Sequence, residues 1–324
     1  MAQAWNLVAD IGGTNARFSA IPNDGSLESN YEFHHSVEEY PKFSDLIGGL
    51  LAEIAEATGW DHAPTNVCLA VACPADRVNI SFTNSHWQFN KAELKNLLGC
   101  ENLWVINDFE AVAHGITELD DHDLVKLGGG EAVDNKPIGI LGAGTGLGVA
   151  GLVRHAHGYH VIDTEGGHAD FAPLDEVQHA VVERLRVIFG RVCLERVLSG
   201  KGILNVYTAL CSIQGAQAKF DDPAQIVTAA QAGSDEKAEQ TLNIFCDAMG
   251  AAAGNLALTF GAQGGIYIAG GVIPRFQDFF ISSSFRSKFE DKGRFAEYMK
   301  PIPVYLVTRS NLGLLGAAKK LQQV

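Results

Sequence analysis

Leu7-Val8-Ala9-Asp10-Ile11-Gly12-Gly13-Thr14-Asn15-Ala16-Arg17 is the stretch whose reading decides the fold. Apolar residues run into an acidic one, two glycines and a hydroxyl follow, and a second apolar run spans Phe18 to Ile21. The pattern predicts a strand, a tight turn and a strand returning beside it. Adjacent glycines let backbone N–H groups approach an anion, because no Cβ stands in the way. Thr14 adds a hydroxyl donor, and Asp10 is placed to hold a metal ion through water. On its own the stretch reads equally as a phosphate loop or as an ordinary hairpin.

The same pattern returns further along. Ile138-Gly139-Ile140-Leu141 reads as a strand, Gly142-Ala143-Gly144-Thr145-Gly146 as a glycine turn with a threonine, and Leu147 to Val153 as a returning strand. This is a weak internal repeat. Two such hairpins, one per domain, would close on one phosphate chain from both sides; two unrelated glycine turns would look the same. Gly146-Leu147-Gly148-Val149-Ala150-Gly151 formally satisfies G-x-G-x-x-G, but that fingerprint has to open a helix, and Val149 to Val153 reads as strand. No G-x-x-x-x-G-K-[ST] occurs, which excludes a P-loop. A third glycine pair, Gly270-Gly271, ends the apolar strand that begins at Gly264.

The 324 residues are enough for two domains with ordinary cores, and 47% of them are hydrophobic. The formal charge, 24 − 38 = −14, disfavours nucleic acid and anionic membranes as partners. No run approaches the ~18 apolar residues of a membrane span, and the N-terminus has no basic region followed by an apolar core. The six cysteines, Cys68, Cys73, Cys100, Cys193, Cys211 and Cys246, form no C-x-x-C pair, so buried reduced thiols in a cytoplasmic protein are expected.

In chain order, Tyr40 to Ala57 has helical spacing, Asn66 to Cys73 is a continuous apolar strand, and Val78 to Phe82 a weaker one. Asn90 with Glu93 resembles a capping box opening a helix to Leu98. Leu103 to Ile106 reads as a buried strand that delivers Asn107-Asp108 to its end, followed by a helix to Ile116. Asp121 to Pro137 reads as the passage into a second domain. Helices are expected at 175–189, 202–211, 222–232 and 236–259, a late strand at 304–307, and a terminal helix at 312–321 that docks back on the first domain. The expected division is residues 1–117 plus 309–324 as a small α/β lobe and 118–308 as a large one.

Taken together, Asp10-Ile-Gly-Gly-Thr-Asn-Ala-Arg17, Ile106-Asn-Asp-Phe109, Gly142-Ala-Gly-Thr-Gly-Leu-Gly148, Glu165-Gly-Gly-His168, Glu195-Arg-Val-Leu-Ser-Gly200 and Ile268-Ala-Gly-Gly-Val-Ile-Pro-Arg275 resemble the bacterial glucokinase family. The resemblance covers nearly the whole chain in the family's order. It implies a two-lobe ribonuclease-H-like α/β fold of the hexokinase, actin and Hsp70 superfamily, with mixed sheets and an interlobe cleft. It further implies ATP- and Mg²⁺-dependent phosphorylation of D-glucose at its 6-hydroxyl by a cytoplasmic homodimer.

Glucose offers only hydroxyls, so a selective pocket needs several rigid donors and acceptors. Asn107, Asp108, Glu165, His168 and Glu195 match the family's sugar-binding positions, and Asp108 carries over as the base for the 6-hydroxyl. Asp108 also reads as a helix N-cap, and His168 as a packed core histidine. Asp10, Gly12, Gly13, Thr14 and Asn15 correspond to the phosphate and metal loop, with Asp10 on Mg²⁺ through water. Gly144 and Thr145 correspond to the second phosphate hairpin, and Gly270 and Gly271 to the adenosine-side turn. Arg17 reads equally as a phosphate contact or a structural salt bridge. Asn84, His86 and Trp87 read equally as a ligand-shaping loop or as packing.

Two other classes fit worse. A sugar-responsive repressor needs a helix-turn-helix ahead of Asp10 and a cysteine cluster after His168, where Ala169-Asp170-Phe171 stands instead. An actin- or Hsp70-like ATPase gives the Asn107-Asp108 and Glu165/His168 set no purpose.

Overall fold

In the first third of the chain, the computed structural model has β1 (Trp5–Ile11), β2 (Asn15–Pro22), β3 (Glu32–Ser36), α1 (Phe43–Thr58), β4 (Asn66–Val71), β5 (Asn79–Ser81), β6 (Gln88–Asn90), α2 (Lys91–Leu98), β7 (Asn102–Asn107) and α3 (Asp108–Ile116). Residues 3–156 and 158–323 are described. Contacts divide the chain into one unit of Met1–Asp120 with Arg309–Val324 and a second of Asp121–Thr308.

The first unit is built on a five-stranded sheet of order β3-β2-β1-β4-β7. β1, β2 and β3 form an antiparallel meander, and β4 and β7 extend the sheet from β1 in parallel. Side chains alternate across a strand, and here both faces are covered. Leu7, Ala9 and Ile11 of β1 join Val67, Leu69 and Val71 of β4 in the core against Phe43, Leu46 and Leu50 of α1. Val8, Cys68 and Ala70 face the other way, with Ala111 of α3 and Leu314 and Ala317 of the chain's last helix, α11 (Leu312–Leu321). Two-sided burial explains why these strands are continuous apolar runs, and each large side chain so buried contributes about 1.5–3 kcal/mol. Asn90 caps α2 by accepting from the N–H groups of Ala92 and Glu93 at 2.9 and 3.2 Å.

The second unit holds β8 (Leu124–Gly128), β9 (Ile138–Ala143), β10 (Leu147–His155), β11 (Gly158–Thr164), α4 (Glu176–Phe189), α5 (Gly200–Ile213), α6 (Pro223–Gln231), α7 (Glu236–Phe260), β12 (Ile266–Ala269), α8 (Gln277–Ser282), α9 (Phe285–Glu290), α10 (Ala296–Met299) and β13 (Val304–Val307). Its six-stranded sheet has the order β11-β10-β9-β12-β13-β8. The first five positions repeat the other sheet: an antiparallel meander, then two strands added in parallel. The helices that start in this unit with Asp175, Ser199, Asp222 and Asp235 at their N-caps each have that side chain accepting a first-turn N–H.

Three details depart from the sequence reading. Leu124 to Gly128, read as part of a passage between domains, is a strand that closes the second sheet by pairing antiparallel with β13. β7, read as buried, is the edge of the first sheet, and only Ile106 in it is fully buried. The segment between Gln277 and Met299, left unassigned in sequence, forms short helices whose Phe280, Phe285 and Phe289 enter the core.

Candidate active site

In the first unit the site residues stand at the carboxyl ends of neighbouring strands. Asp10 lies next to the end of β1, paired with Ala70 of β4, and Val71 of β4 is paired with Asn107 of β7. Carboxyl ends of parallel strands are where open α/β sheets bind ligands. The first hairpin is closed by the Gly12 N–H donating to Asn15 O at 2.9 Å, which leaves Thr14 and Asn15 exposed at its tip. The Asp10 carboxyl is shielded enough that desolvation pushes its pKa up, and the nearby positive charge of Arg17 only opposes this. A carboxylate so placed favours a cation beside it. Mg²⁺ commonly uses one or two carboxylates and completes its shell with waters and phosphates, and Asp10 fits that requirement. Among the described residues, no group of three or more His, Cys, Asp or Glu could hold a metal ion.

The cap of α3 corrects a sequence reading. Asn107, not Asp108, is the N-cap: its Oδ1 accepts from the Phe109 N–H at 2.8 Å. Asp108 is therefore the first helical residue, where the helix dipole favours negative charge. Asn107 Nδ2 also reaches Cys73 O at 3.4 Å. The Cys73 thiol is pushed up to about 11 by burial and by the Asp108 charge, which places that carboxylate in its neighbourhood.

In the second unit, the hairpin between β9 and β10 is closed by Gly144 N–H donating to Gly146 O at 2.8 Å, with Thr145 exposed at the tip. The third glycine turn lies against it. Gly270 has φ +93°, and a Cβ there would stand 2.3 Å from Ala143 O, so glycine is required. Glu165 precedes and His168 ends a single helical turn, with His168 Nε2 3.9 Å from Glu165 Oε2 and both side chains largely exposed. His168 is thus not the packed core histidine of the alternative reading. Glu195 directs its carboxylate at the hairpin: Oε2 accepts from the Leu147 N–H at 3.0 Å. The structure therefore groups Asp10, Gly12, Gly13, Thr14, Asn15, Asn107 and Asp108 in one unit, and Gly144, Thr145, Glu165, His168, Glu195, Gly270 and Gly271 in the other.

The glucokinase family model matches residues 7–324 of this chain. The chain belongs to the glucokinase family. It is 45% identical to a glucokinase from Hahella chejuensis over 322 residues, covering 98% of this chain and 97% of that one. A crystal structure of glucokinase from an Antarctic psychrotroph superposes with a TM-score of 0.84 at 38% identity, covering 99% of both chains. A ROK family glucokinase from Streptomyces griseus, solved in complex with glucose and AMPPNP, has a TM-score of 0.66 at 18% identity, covering 99% of this chain and 100% of that one, and shares the fold. As a glucokinase-family enzyme, the protein phosphorylates glucose.

The glucokinase fold here contains contacts that sequence patterns did not reveal. Gly313 of α11 faces the Asp10 carboxylate: a Cβ on it would stand 2.8 Å from Asp10 Cγ. Asn84 backs the first hairpin, its carbonyl oxygen 2.8 Å from where a Gly13 Cβ would be. Trp87 is packing, 1% exposed, with its indole N–H donating to Tyr40 O at 2.8 Å. Arg17 Nη1 lies 3.4 Å from Asn311 Oδ1 at the start of α11.

Proposed function

We propose that this protein transfers the γ-phosphoryl group of ATP, taken as its Mg²⁺ complex, to the 6-hydroxyl of D-glucose. The bond from sugar O6 to phosphorus forms, the bond from phosphorus to the β–γ bridging oxygen breaks, and glucose 6-phosphate and ADP leave. The observation that carries the reading is the family match running from residue 7 to 324, and the resemblance implies that Asn107, Asp108, Glu165, His168 and Glu195 are the sugar ligands. That a fold relative from Streptomyces griseus was crystallised with glucose and AMPPNP supports the choice of substrates.

Asp108 accepts the proton of the 6-hydroxyl. In a loose phosphoryl-transfer transition state the proton leaves late, so a weakly basic carboxylate serves if it is well oriented. Its place at the start of α3, fixed by the Asn107 cap, supplies that orientation. Glu165, His168, Glu195 and Asn107 hydrogen-bond the remaining sugar hydroxyls. The Gly12 to Asn15 and Gly144 to Gly146 turns hold the phosphates, with the hydroxyls of Thr14 and Thr145 as donors, and Gly270 and Gly271 leave room for the adenosine. Mg²⁺, when bound, neutralises phosphate charge, and Asp10 is the residue that would hold it through water. Six free cysteines support a reducing, cytoplasmic setting, and the family resemblance supports a homodimer.

The test is a coupled assay of sugar-dependent ADP release over glucose, mannose, fructose and glucosamine, run on the wild type and on Asp108→Asn. Glucose is expected to give the highest kcat/KM. The variant should lose about 10²–10⁴-fold in kcat while still binding glucose. ADP release independent of any sugar, or near-normal kcat in Asp108→Asn, contradicts the proposal.

A further inference from the structure

Glu195 has more to do in the second unit than a sugar ligand needs. Its Oε2 accepts from the Leu147 N–H at 3.0 Å, at the point where the glycine hairpin re-enters β10. The approach is so close that a Cβ on Gly146 would lie 2.3 Å from the same oxygen, so the hairpin sequence is fitted to this carboxylate. The other side of the turn is fastened by the same chain segment. Gly200 N–H donates to Gly144 O at 2.9 Å, and Ser199, which caps α5, returns its hydroxyl to Glu195 O at 2.8 Å. The Glu165 to His168 segment is joined to the same hairpin residue, since a Cβ on Gly167 would stand 2.0 Å from Leu147 O. It is joined to the Glu195 segment too, through the Leu194 N–H donating to Ala169 O at 2.9 Å.

We infer that Glu195 is a positioning residue for the Gly144–Gly146 hairpin, so that sugar recognition and nucleotide-phosphate recognition in this unit are made by one fastened block meeting at Leu147. The inference rests on the proposed function for the identity of the two ligands. A carboxylate that contacts a sugar with one edge and restrains a phosphate-binding turn with the other couples the two affinities, and such coupling is reciprocal. The arrangement makes a specific statement about nucleotide binding when no sugar is present. A residue that only contacts glucose has no influence there, whereas a residue that holds the hairpin does.

Titration calorimetry of the Mg²⁺ complex of AMPPNP, with glucose absent, separates the two. Glu195→Ala removes the acceptor for the Leu147 N–H and is expected to weaken AMPPNP about three- to tenfold, the effect of one net hydrogen bond. Glu195→Gln keeps an acceptor oxygen and should stay within about twofold of the wild type. Gly146→Ala leaves Glu195 in place but displaces its carboxylate, and should reproduce the Glu195→Ala loss, which keeps the test open if Glu195→Ala does not fold. Wild-type AMPPNP affinity in Glu195→Ala or in Gly146→Ala, or a Gln variant as weak as the Ala variant, overturns the inference. Glucose titrated into the same samples reads the other assignment separately: unchanged glucose affinity in Glu195→Ala removes Glu195 from the sugar site and leaves the hairpin result standing.

Discussion

The two units carry the same sheet order and a glycine hairpin at the same place in it, yet they treat the carboxylate beside that hairpin in opposite ways. In the first, Asp10 is the residue before the last paired position of β1, Ile11, and its parallel neighbour is Ala70. In the second, the corresponding residue of β9 before Ala143 is Gly142, and its parallel neighbour is Ala269. The second hairpin borrows its carboxylate from Glu195, whose charge is met by a backbone N–H. Asp10 instead has desolvation raising its pKa. A strand-borne carboxylate left with this electrostatic cost is suited to a cation, and a borrowed one that is satisfied is suited to structure. The duplicated topology thus supplies two glycine turns of different chemistry.

The largest expected effect comes from making the first hairpin electrically like the second. Asp10→Asn removes the charge without changing the shape. Because the folded-state pKa of Asp10 is raised, its ionisation destabilises the fold as pH rises through that pKa, and the cost persists at neutral pH. The variant is therefore expected to melt higher than the wild type at pH 7 in the absence of Mg²⁺, with a difference that shrinks below about pH 4, where the carboxyl is protonated in both states. Activity should fall by about 100-fold or more. Scanning calorimetry and a steady-state assay check the two halves together. A variant that melts lower while keeping its activity would make Asp10 a structural residue and end the contrast between the units.

An intermediate effect tests what holds Asp10 in place. The second hairpin is fastened by a side chain, and the first carboxylate is met by a glycine of α11. In Gly313→Ala the new methyl would be 2.8 Å from Asp10 Cγ and 2.9 Å from Oδ2. Overpacking of this kind costs about 1–3 kcal/mol, so Tm should fall. The sharper expectation is kinetic: kcat about tenfold lower, a higher Mg²⁺ concentration for half-maximal rate, and a glucose KM within about twofold of the wild type. If the Mg²⁺ dependence is unchanged while Tm drops, Gly313 serves packing alone.

Much of this was legible in the chain, and what was not has a common cause. Both hairpins could be read because an apolar run, a glycine cluster and a second apolar run are local signals. The same holds for the capping box at Asn90 and Glu93, just ahead of the helical period of α2. β8 was missed because Leu124 to Gly128 is short and follows Asp121-His122-Asp123, which reads as loop. It is a strand only because β13 offers it an edge. Asn107 and Asp108 are adjacent, so spacing did not decide which would cap α3. The Glu195 bond to Leu147 spans 48 residues, and Gly313 meets Asp10 from the far end of the chain. Close approach across such separations leaves no periodic trace in sequence.

The smallest expected effect asks whether α11 supports the first unit by charge as well as by packing. Lys320 Nζ lies 3.1 Å from Glu110 Oε1, and His114 Nε2 lies 3.7 Å from the same oxygen, which ties α11 to the helix that begins with Asp108. Burial works to raise the Glu110 pKa, but His114 and Lys320 outweigh it and hold the carboxyl below its ordinary value. A depressed folded-state pKa contributes stability above the unfolded pKa and loses it as pH falls through the folded one. Lys320→Met keeps much of the aliphatic contact and removes the charge. Its cost should be about 1 kcal/mol near pH 7, at the upper end of exposed ion pairs because both partners are partly buried. The difference from wild type should shrink as pH falls through that lowered pKa and vanish once Glu110 is protonated in the folded state. Urea melts at pH 7 and at a pH well below the ordinary carboxylate range measure this directly. A loss that is the same at both pH values would mean that the methylene packing of Lys320 fastens α11, leaving Gly313 and its close neighbours as the support of the first hairpin.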